Sequence, residues 1–275
     1  MEREGICKEG KEKERCLEEK RERLRNKQLH SVFLKNTEFR DKTSWNWLSK
    51  GDLKKTTEGT IIAAQEQSLR TRSIQYRIDK SETSPMCRLC NQREETVAHI
   101  LSECQVLAQN QYKNWRHDKV AQIIHWYLCK LHDLDHNEKW YEHKPEVVQE
   151  NNSVKLLWDM RIQTDKVLEY TRPDIVLLDK INASCLIIDV ACPFDTRVPD
   201  KEVEKITKYQ DLKWEIQRIW KCRAKVIPII IGCLGTISKN HLKWLKEISD
   251  TIIFDIIQKA CLLGSARVLR YCLGI

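Results

Sequence analysis

Four residues in the first half of the chain have the types and the spacing of a zinc site. Cys87, Cys90, His99 and Cys104 follow the pattern C-x2-C-x8-H-x4-C. Two cysteines on a tight turn, with a histidine and a cysteine farther along, can close tetrahedrally on one Zn²⁺. A module this small buries little apolar surface, so metal binding would supply its folding free energy. We predict a structural zinc ion here; the alternative is that buried thiols and a core histidine share this spacing by chance.

A zinc site does not define a function by itself. It can be purely structural, or it can present basic and aromatic side chains to a nucleic acid strand. Six nearby residues could contact nucleic acid or could form a solvated helical face: Arg88, Arg93, Lys113, Trp115, Arg116 and Lys119. Four more residues gather on the following helix: His117, His125, Cys129 and His132. His125 and Cys129 are four positions apart and could bind a metal ion, but we interpret the four as core and surface residues.

Two aspartates lie at the ends of neighbouring predicted strands. Asp174 opens the strand 174–178 and Asp189 closes the strand 185–190. In a β-hairpin of this length, both carboxylates can reach the same end of the sheet. Asp189 ends an apolar run, so its charge needs a partner. Two carboxylates that converge suit Mg²⁺, which can polarise a phosphodiester and lower the pKa of a bound water.

The lysine that usually completes such a site, two residues after the second acid, is absent because Ala191 stands there. The predicted helix 201–220 offers substitutes. At about 100° per residue, Lys205 lies roughly 30° from the centre of its apolar face and Lys208 roughly 90° away. A lysine in an apolar stripe is costly unless it meets an anion, so Lys205 is the first candidate and Lys208 the second. Alternatively, Lys205 extends past the sheet edge to solvent. Glu202, one turn earlier on the same helix, is a weaker candidate for a third acidic ligand of the metal ion.

The surrounding sequence divides into five predicted parts. Residues 1–30 form a charged arm or helix, 31–84 a helical linker region, 85–133 the zinc module and its following helix, 134–153 a polar linker, and 154–275 a larger domain. In that domain, β-rich runs at 157–162, 174–178, 185–190 and 226–231 alternate with helices at 201–220 and 239–263. This alternation predicts an α/β fold with a mixed sheet.

Composition narrows the class of protein further. The 275 residues carry a net charge of +8, which is compatible with a polyanionic partner. The first residues are charged rather than apolar, unlike a signal peptide, and the longest apolar stretch, 226–234, is too short for a bilayer. The 12 cysteines without a secretion signal therefore predict a reducing, intracellular compartment with no membrane partner.

Taken in order, these motifs resemble one family. The segments 172–177 (RPDIVL), 186–193 (LIIDVACP) and 205–209 (KITKY) look like the restriction-like endonuclease of site-specific non-LTR retrotransposons, especially Dong-like elements. That family also has its lysine displaced to the following helix, as Ala191 requires here. The C-x2-C-x8-H-x4-C cluster is similar to the knuckle that precedes the nuclease in these polyproteins. The resemblance covers about residues 35–275, since segments 44–48, 57–71 and 117–126 resemble the region between polymerase and nuclease.

The resemblance implies a PD-(D/E)xK restriction-endonuclease-like domain that nicks target DNA to prime reverse transcription. Asp174 and Asp189 would hold Mg²⁺, Lys205 or Lys208 would act on the attacking water or the phosphate, and Arg172 would contact the DNA backbone. The knuckle would bind target DNA or element RNA, and the protein would act in the nucleus. Because no Tyr/Phe-x-Asp-Asp polymerase motif occurs, we expect a fragment of a polyprotein. The alternative is a catalytically inactive or co-opted nucleic-acid-binding protein stabilised by zinc.

Overall fold

The computed structural model describes residues 2–27, 33, 42–249 and 254–275. Within these ranges the helices are α1 (Glu2–Arg25), α2 (Asn46–Lys50), α3 (Lys55–Gln65), α4 (Arg72–Ile74), α5 (Gln105–Ala108), α6 (Asp118–Leu131), α7 (Val198–Lys208), α8 (Gln210–Trp220), α9 (His241–Ile248) and α10 (Phe254–Leu273). The strands are β1 (Val148–Glu150), β2 (Val154–Trp158), β3 (Ile175–Asp179), β4 (Ser184–Ala191) and β5 (Arg223–Ile230). Short 3-10 turns cover Lys42–Trp45 and Asp195–Arg197, and π-helical turns cover Gln75–Asp79, His99–Glu103 and Lys113–His117. Parts of the predicted arm and helical linker region, residues 1, 28–32 and 34–41, lie outside the described residues.

The five strands form one mixed sheet in the order β1-β2-β3-β4-β5. The first three pairings are antiparallel, and β4 pairs with β5 in parallel. Strand β4 is almost wholly buried, as its apolar sequence predicts for a strand covered on both faces. Pro228 interrupts the donors of β5, which is tolerated because β5 lies at the edge of the sheet. The prediction of an α/β fold with a mixed sheet and flanking helices is confirmed.

Helices cover both faces of this sheet. Alternation along each strand sends one set of side chains to a core shared with α6, α9 and α10, and the other set to a core shared with α8 and with Tyr209, at the junction of α7 and α8. The first core includes Leu156, Ile175, Ile188, Ile124 and Leu245. The second includes Leu157, Val176, Ile187, Tyr209 and Leu212. Asp174 is two positions from Val176, and Asp189 is two positions from Ile187. Because side chains alternate along a strand, both aspartates lie on the same face of the sheet as Val176 and Ile187, the α7–α8 face.

Two predicted elements of the larger domain are wrong in detail. The strand expected at 157–162 ends at Trp158, because the chain leaves the sheet at Asp159, whose φ is 44°. The helix expected at 201–220 is two helices, which meet at Tyr209 with φ −106° and ψ 15°. The polar segment 134–153, predicted as a linker, contains β1 and is paired to β2.

Helix α10 packs against both the sheet and the region around the cysteine cluster. Its buried side chains enter a core with residues around the cysteine cluster, namely Cys87, Val97, Ile100, Leu101 and Cys104. Gly264 lies in the middle of α10, and a Cβ there would overlap the carbonyl oxygen of Trp115 and the Cα of Arg116. The glycine therefore lets the turn Lys113–His117 pack directly on the helix, which fixes the position of His117.

Within the ranges given above, none of the helices combines the length and the apolar character that a membrane span requires.

Candidate functional site

A cleft of about 500 Å³ opens at one end of the sheet. Three strand ends meet there: the end of β2 leads to Asp159, β3 begins after Asp174, and β4 ends at Ala191. The opposite wall comes from the first half of the chain, through Ser102, Glu103, Tyr112, Lys113 and His117. The cleft is therefore formed jointly by the sheet, by α7 and by the region of the cysteine cluster.

The register of the sheet brings the two predicted aspartates together. Ile175 pairs with Ile188 in the antiparallel ladder, so the next pair along is Asp174 opposite Asp189. Directly opposite residues on one face have Cβ atoms about 5 Å apart. The side chain of Asp174 lines the cleft, while that of Asp189 lies behind it and is only 3% exposed.

Lys205 is the lysine that meets these carboxylates. Its Nζ pairs with Oδ2 of Asp189, and its side chain, 14% exposed, lines the cleft. Lys208, the second candidate, instead holds its Nζ over the rings of Tyr170 and Tyr209, 5.2 and 4.7 Å from their centroids. The two lysines thus occupy different environments, although they are one helical turn apart.

The other two residues considered for the site are engaged elsewhere. Arg172 is exposed, and its guanidinium binds Asp159, with Nε 2.9 Å from Oδ1 and Nη2 3.0 Å from Oδ2. Glu202 is buried and accepts hydrogen bonds from Asn240 Nδ2 and Trp244 Nε1, each at 2.9 Å. Glu202 therefore ties α7 to α9 and does not act as a third ligand at the cleft.

Tyr209 completes the environment of Asp189. The Tyr209 hydroxyl lies 2.7 Å from Asp189 Oδ1. Burial and the negative charge of Asp174 raise the pKa of Asp189 above its ordinary value, against the opposing effects of Lys205 and Tyr209. The sequence indicated that Tyr209 could lie near Lys205, because Tyr209 stands four positions after Lys205 and therefore on the same helical face.

His117 is a cleft residue that the sequence reasoning assigned only to packing or the surface. Its Nε2 lies 3.2 Å from both Asp174 Oδ2 and the carbonyl oxygen of Val190, and its Nδ1 lies 2.9 Å from Asp118. Lys113 Nζ contacts the same Asp118 at 2.9 Å. Burial would lower the pKa of His117, but the two carboxylates outweigh it and raise that pKa to about 10. The imidazole is therefore a cation at neutral pH.

Asp174 is held in its ionised form by these contacts. Burial raises its pKa, but the hydrogen bond and charge of His117, the N–H of Val190 at 2.6 Å and the charge of Lys205 together lower the pKa below its ordinary value. The two aspartates are thus pushed in opposite directions, which is typical of carboxylates that share a functional site.

Two further charged residues beside the cleft have different roles. Arg116 lines the cleft although it is 2% exposed; it donates to the carbonyl of Leu101 at 2.9 Å, and within the described part of the chain it has no carboxylate partner. Asp195 is also buried, but it accepts the backbone N–H groups of Leu234 and Thr236 at 2.8 and 3.0 Å. Asp195 therefore stabilises a loop, whereas Arg116 adds positive charge to the cleft wall.

The cysteine cluster comes together as its spacing predicts. The ligand atoms of Cys87, Cys90, His99 and Cys104 all lie within 4.8 Å of one another. Ligands on a tetrahedral zinc ion with bonds of about 2.3 Å are ~3.8 Å apart, so the cluster could hold such an ion with small adjustments. Without a metal, burial raises the pKa of Cys87 to about 11; a bound cation would favour its thiolate.

An ion pair supports this cluster from behind. Glu95, with a fully buried side chain, accepts from Arg88 Nη2 at 2.7 Å, from the backbone N–H of Arg88 at 2.8 Å and from the N–H of Arg72 at 2.9 Å. Burial raises the pKa of Glu95, but these donors outweigh it and leave the pKa below its ordinary value. Arg88 thus stabilises the fold through its ion pair with Glu95.

The remaining basic residues near the cluster are also paired. Arg93 contacts Glu103 at 3.3 Å, and Lys119 donates to Gln122 at 3.1 Å. The guanidinium of Arg267 lies 4.3 Å from the centre of the Trp115 ring. Of the six residues that could form a solvated face, Arg93, Lys113 and Lys119 are exposed, whereas Arg116 is buried, so the six do not form one continuous solvated face.

Comparison of the chain with protein-family models and with curated proteins finds no match. The assignment of a function therefore rests on the geometry of the cleft and of the cysteine cluster.

Proposed function

We propose that the cleft is the active site of a Mg²⁺-dependent endonuclease that nicks DNA. The observation that carries the proposal is the juxtaposition of Asp174 and Asp189 across two strands, with Lys205 from α7 on Asp189. Two carboxylates and a lysine at the end of a mixed sheet are the groups that metal-dependent phosphodiester hydrolysis needs. The order of the sequence motifs, which resembles that of Dong-like non-LTR retrotransposons, favours a PD-(D/E)xK nuclease over other hydrolases.

In this proposal, oxygen atoms at the cleft would hold the divalent cation. Asp174 Oδ2 and the Val190 carbonyl oxygen both lie 3.2 Å from His117 Nε2, so the two oxygens are close enough to share one ion, and a metal ion bound to both would replace the contact with His117. Oxygen donors of this kind are the ones Mg²⁺ prefers. When bound, Mg²⁺ would supply a Lewis acid for the phosphodiester and a water of lowered pKa.

The protein's own groups would perform the remaining tasks. Asp174 and Asp189 would hold the cation, and Lys205 Nζ would orient the attacking water or stabilise charge on the phosphate. Arg116, buried without a carboxylate, would attract the phosphate from the cleft wall. Lys201 and Arg197, also lining the cleft, would contact the DNA backbone at its entrance.

The zinc-binding cluster would position nucleic acid at the same cleft. Its neighbour Glu103 and the residues Tyr112 and Lys113 form the wall opposite the aspartates. Target DNA, and element RNA in a retrotransposon setting, are the partners that this arrangement would serve, and such a role would place the protein in the nucleus. The nick would then prime reverse transcription by a polymerase domain.

A second candidate function is nucleic-acid binding without catalysis. The observation that favours it is that both oxygens of Asp189 are engaged by protein groups, Oδ1 by Tyr209 and Oδ2 by Lys205. A cation would have to displace or share those contacts. In this case the carboxylates and lysine serve the stability of the fold alone.

Nicking of supercoiled plasmid distinguishes the two candidates. We expect Mg²⁺-dependent nicking by the zinc-loaded chain and a loss of at least ~100-fold in Asp174→Asn and Asp189→Asn, since each removes a ligand of the reacting centre. Asp211→Asn, at an exposed acid in the first turn of α8, is the matched control and should retain activity. Equal nicking by wild type and Asp189→Asn would refute the site; salt-sensitive DNA binding with no nicking by wild type would establish the second candidate.

A further inference from the structure

A second group of metal-ligating side chains lies inside the core, away from the cleft and the cysteine cluster. His125 and Cys129 are one turn apart on α6, and His143 reaches them from the loop between α6 and β1. Their ligand atoms all lie within 4.8 Å of one another. His125 Nδ1 is 2.8 Å from His143 Nε2 and 3.4 Å from Cys129 Sγ.

This group is buried among apolar side chains. His125 and Cys129 are fully buried and His143 is 2% exposed. Their surroundings belong to the main core of the sheet, with Leu128, Leu134 and Val154 nearby in the same cluster. Imidazoles in such a place are costly unless a strong interaction compensates for their lost hydration. Coordinate bonds to a metal ion are such an interaction.

The hydrogen bonds of the two imidazoles leave part of this cost uncompensated. Only one proton can lie between His125 Nδ1 and His143 Nε2, so a neutral pair gains a single hydrogen bond there. In the described part of the chain, His125 Nε2 and His143 Nδ1 are buried without a hydrogen-bond partner. A cation placed between the rings would instead accept a lone pair from each of the two facing nitrogens.

Gln149, in β1, offers a fourth donor atom. Its Nε2 donates to the carbonyl of Asp135 at 2.9 Å, which fixes the orientation of the amide and points Oε1 at Cys129 Sγ, 2.8 Å away. In the absence of a metal, the thiol would donate its proton to this oxygen. With a metal, the amide oxygen or a water closes the tetrahedron around two nitrogens and one sulfur.

We propose that His125, Cys129 and His143 bind a second zinc ion, with Gln149 Oε1 or a water as the fourth ligand. One thiolate and two imidazoles form a mixed nitrogen and sulfur set that suits Zn²⁺ better than a hard cation such as Mg²⁺. Because the ligands are enclosed, the ion is structural rather than catalytic. It joins α6, the loop 132–147 and β1 at one point, and it holds the segment that the sequence presented as a polar linker.

This site does not depend on the proposed nuclease function, and its test does not use activity. The full chain, purified with zinc and freed of excess metal by gel filtration, should contain about two zinc ions, one per cluster. X-ray absorption should then give an average of about two sulfur and two nitrogen or oxygen ligands per zinc, because one site has three cysteines and the other has one. About one zinc per chain, with about three sulfur ligands, would overturn the proposal whatever the variants do.

Variants assign each ion to its ligands. His143→Ala should lose one of the two ions, and Cys87→Ser with Cys90→Ser should lose the other. His136→Ala is the matched control, because His136 is an exposed histidine in the same loop and should leave both ions bound. Retention of both ions by His143→Ala, or an equal loss in His136→Ala, would contradict the assignment.

Discussion

The contact between Lys205 and Asp189 can be tested through stability, without reference to catalysis. Replacing Lys205 with Met leaves a carboxylate that is 3% exposed and faces the charge of Asp174. Loss of one partner from a buried ion pair typically costs about 3–5 kcal/mol. Asp189→Asn should cost less, because the amide still accepts from the Tyr209 hydroxyl and Lys205 still faces Asp174. The double variant should be less destabilised than the sum of the singles by ~2 kcal/mol, as expected of residues in direct contact.

The sign of the pH dependence follows from the same carboxylate. Without Lys205, the folded-state pKa of Asp189 rises further above its unfolded value of about 3.9. An acid whose pKa is raised by folding binds more protons in the folded state, so stability falls as pH rises from the unfolded pKa through the folded one. The cost of Lys205→Met should therefore be larger at about pH 8 than at about pH 5.5.

Urea unfolding followed by circular dichroism, on zinc-loaded protein without Mg²⁺, measures these differences. Lys208→Met is the control, since its Nζ lies over aromatic rings, a contact typically worth only about 0.5–1 kcal/mol. If Lys205→Met and Lys208→Met have the same stability at both pH values, or if the two single changes are additive, Lys205 does not pair with Asp189 as described.

Variants at Lys205, Glu95 and Gly264 test other contacts of the molecule. In plasmid nicking, Lys205→Met should lose at least ~100-fold, whereas Lys208→Met should stay within about tenfold of wild type; the reverse order would move the catalytic role to Lys208. Glu95→Gln should cost ~3 kcal/mol in urea unfolding near neutral pH, since it breaks a buried pair with Arg88. Because folding lowers the pKa of Glu95, this difference should shrink as pH falls below about 4.3, and a pH-independent difference would contradict the ion pair. Gly264→Ala should lower the thermal midpoint by several degrees, roughly the effect of 2 kcal/mol, because its Cβ overlaps Trp115, whereas Gly59→Ala, where the added Cβ meets nothing within 4 Å, should not.

The sequence predicted those features that depend on local spacing. The positions of β3 and β4 followed from apolar runs, and with them the opposition of Asp174 and Asp189, because hairpin register is set by short-range pairing. The clustering of Cys87, Cys90, His99 and Cys104 followed from their spacing alone.

Lys205 contacts Asp189, although the helix from which Lys205 was selected was predicted with the wrong bounds. The helical wheel that selected Lys205 assumed one helix over 201–220, but the helix breaks at Tyr209. The helical wheel still describes the position of Lys205, because Lys205 lies within α7 and Tyr209 lies directly at its end. The apolar face of α7 is incomplete, since Val203 in its middle is 65% exposed.

Other features depended on contacts between distant parts of the chain. His117 meets Asp174 across 57 positions of sequence, and Glu202 meets Trp244 across 42. No periodicity or motif encodes such pairs, because they arise only when α6 and α9 pack on the sheet. His143 joins His125 and Cys129 in the same way, from a loop whose polar composition suggested a linker.

Helix α10 has a consequence for the order in which the protein can fold during synthesis. The core around the cysteine cluster includes Leu262, Ala266, Leu269 and Cys272, which leave the ribosome after every other described element. At about 5–20 residues per second, the cluster waits on the order of ten seconds or more for these side chains. Metal captured by the nascent thiols would preserve the turn through this interval, so the cysteine cluster is translated before the sheet but its core is completed after the sheet.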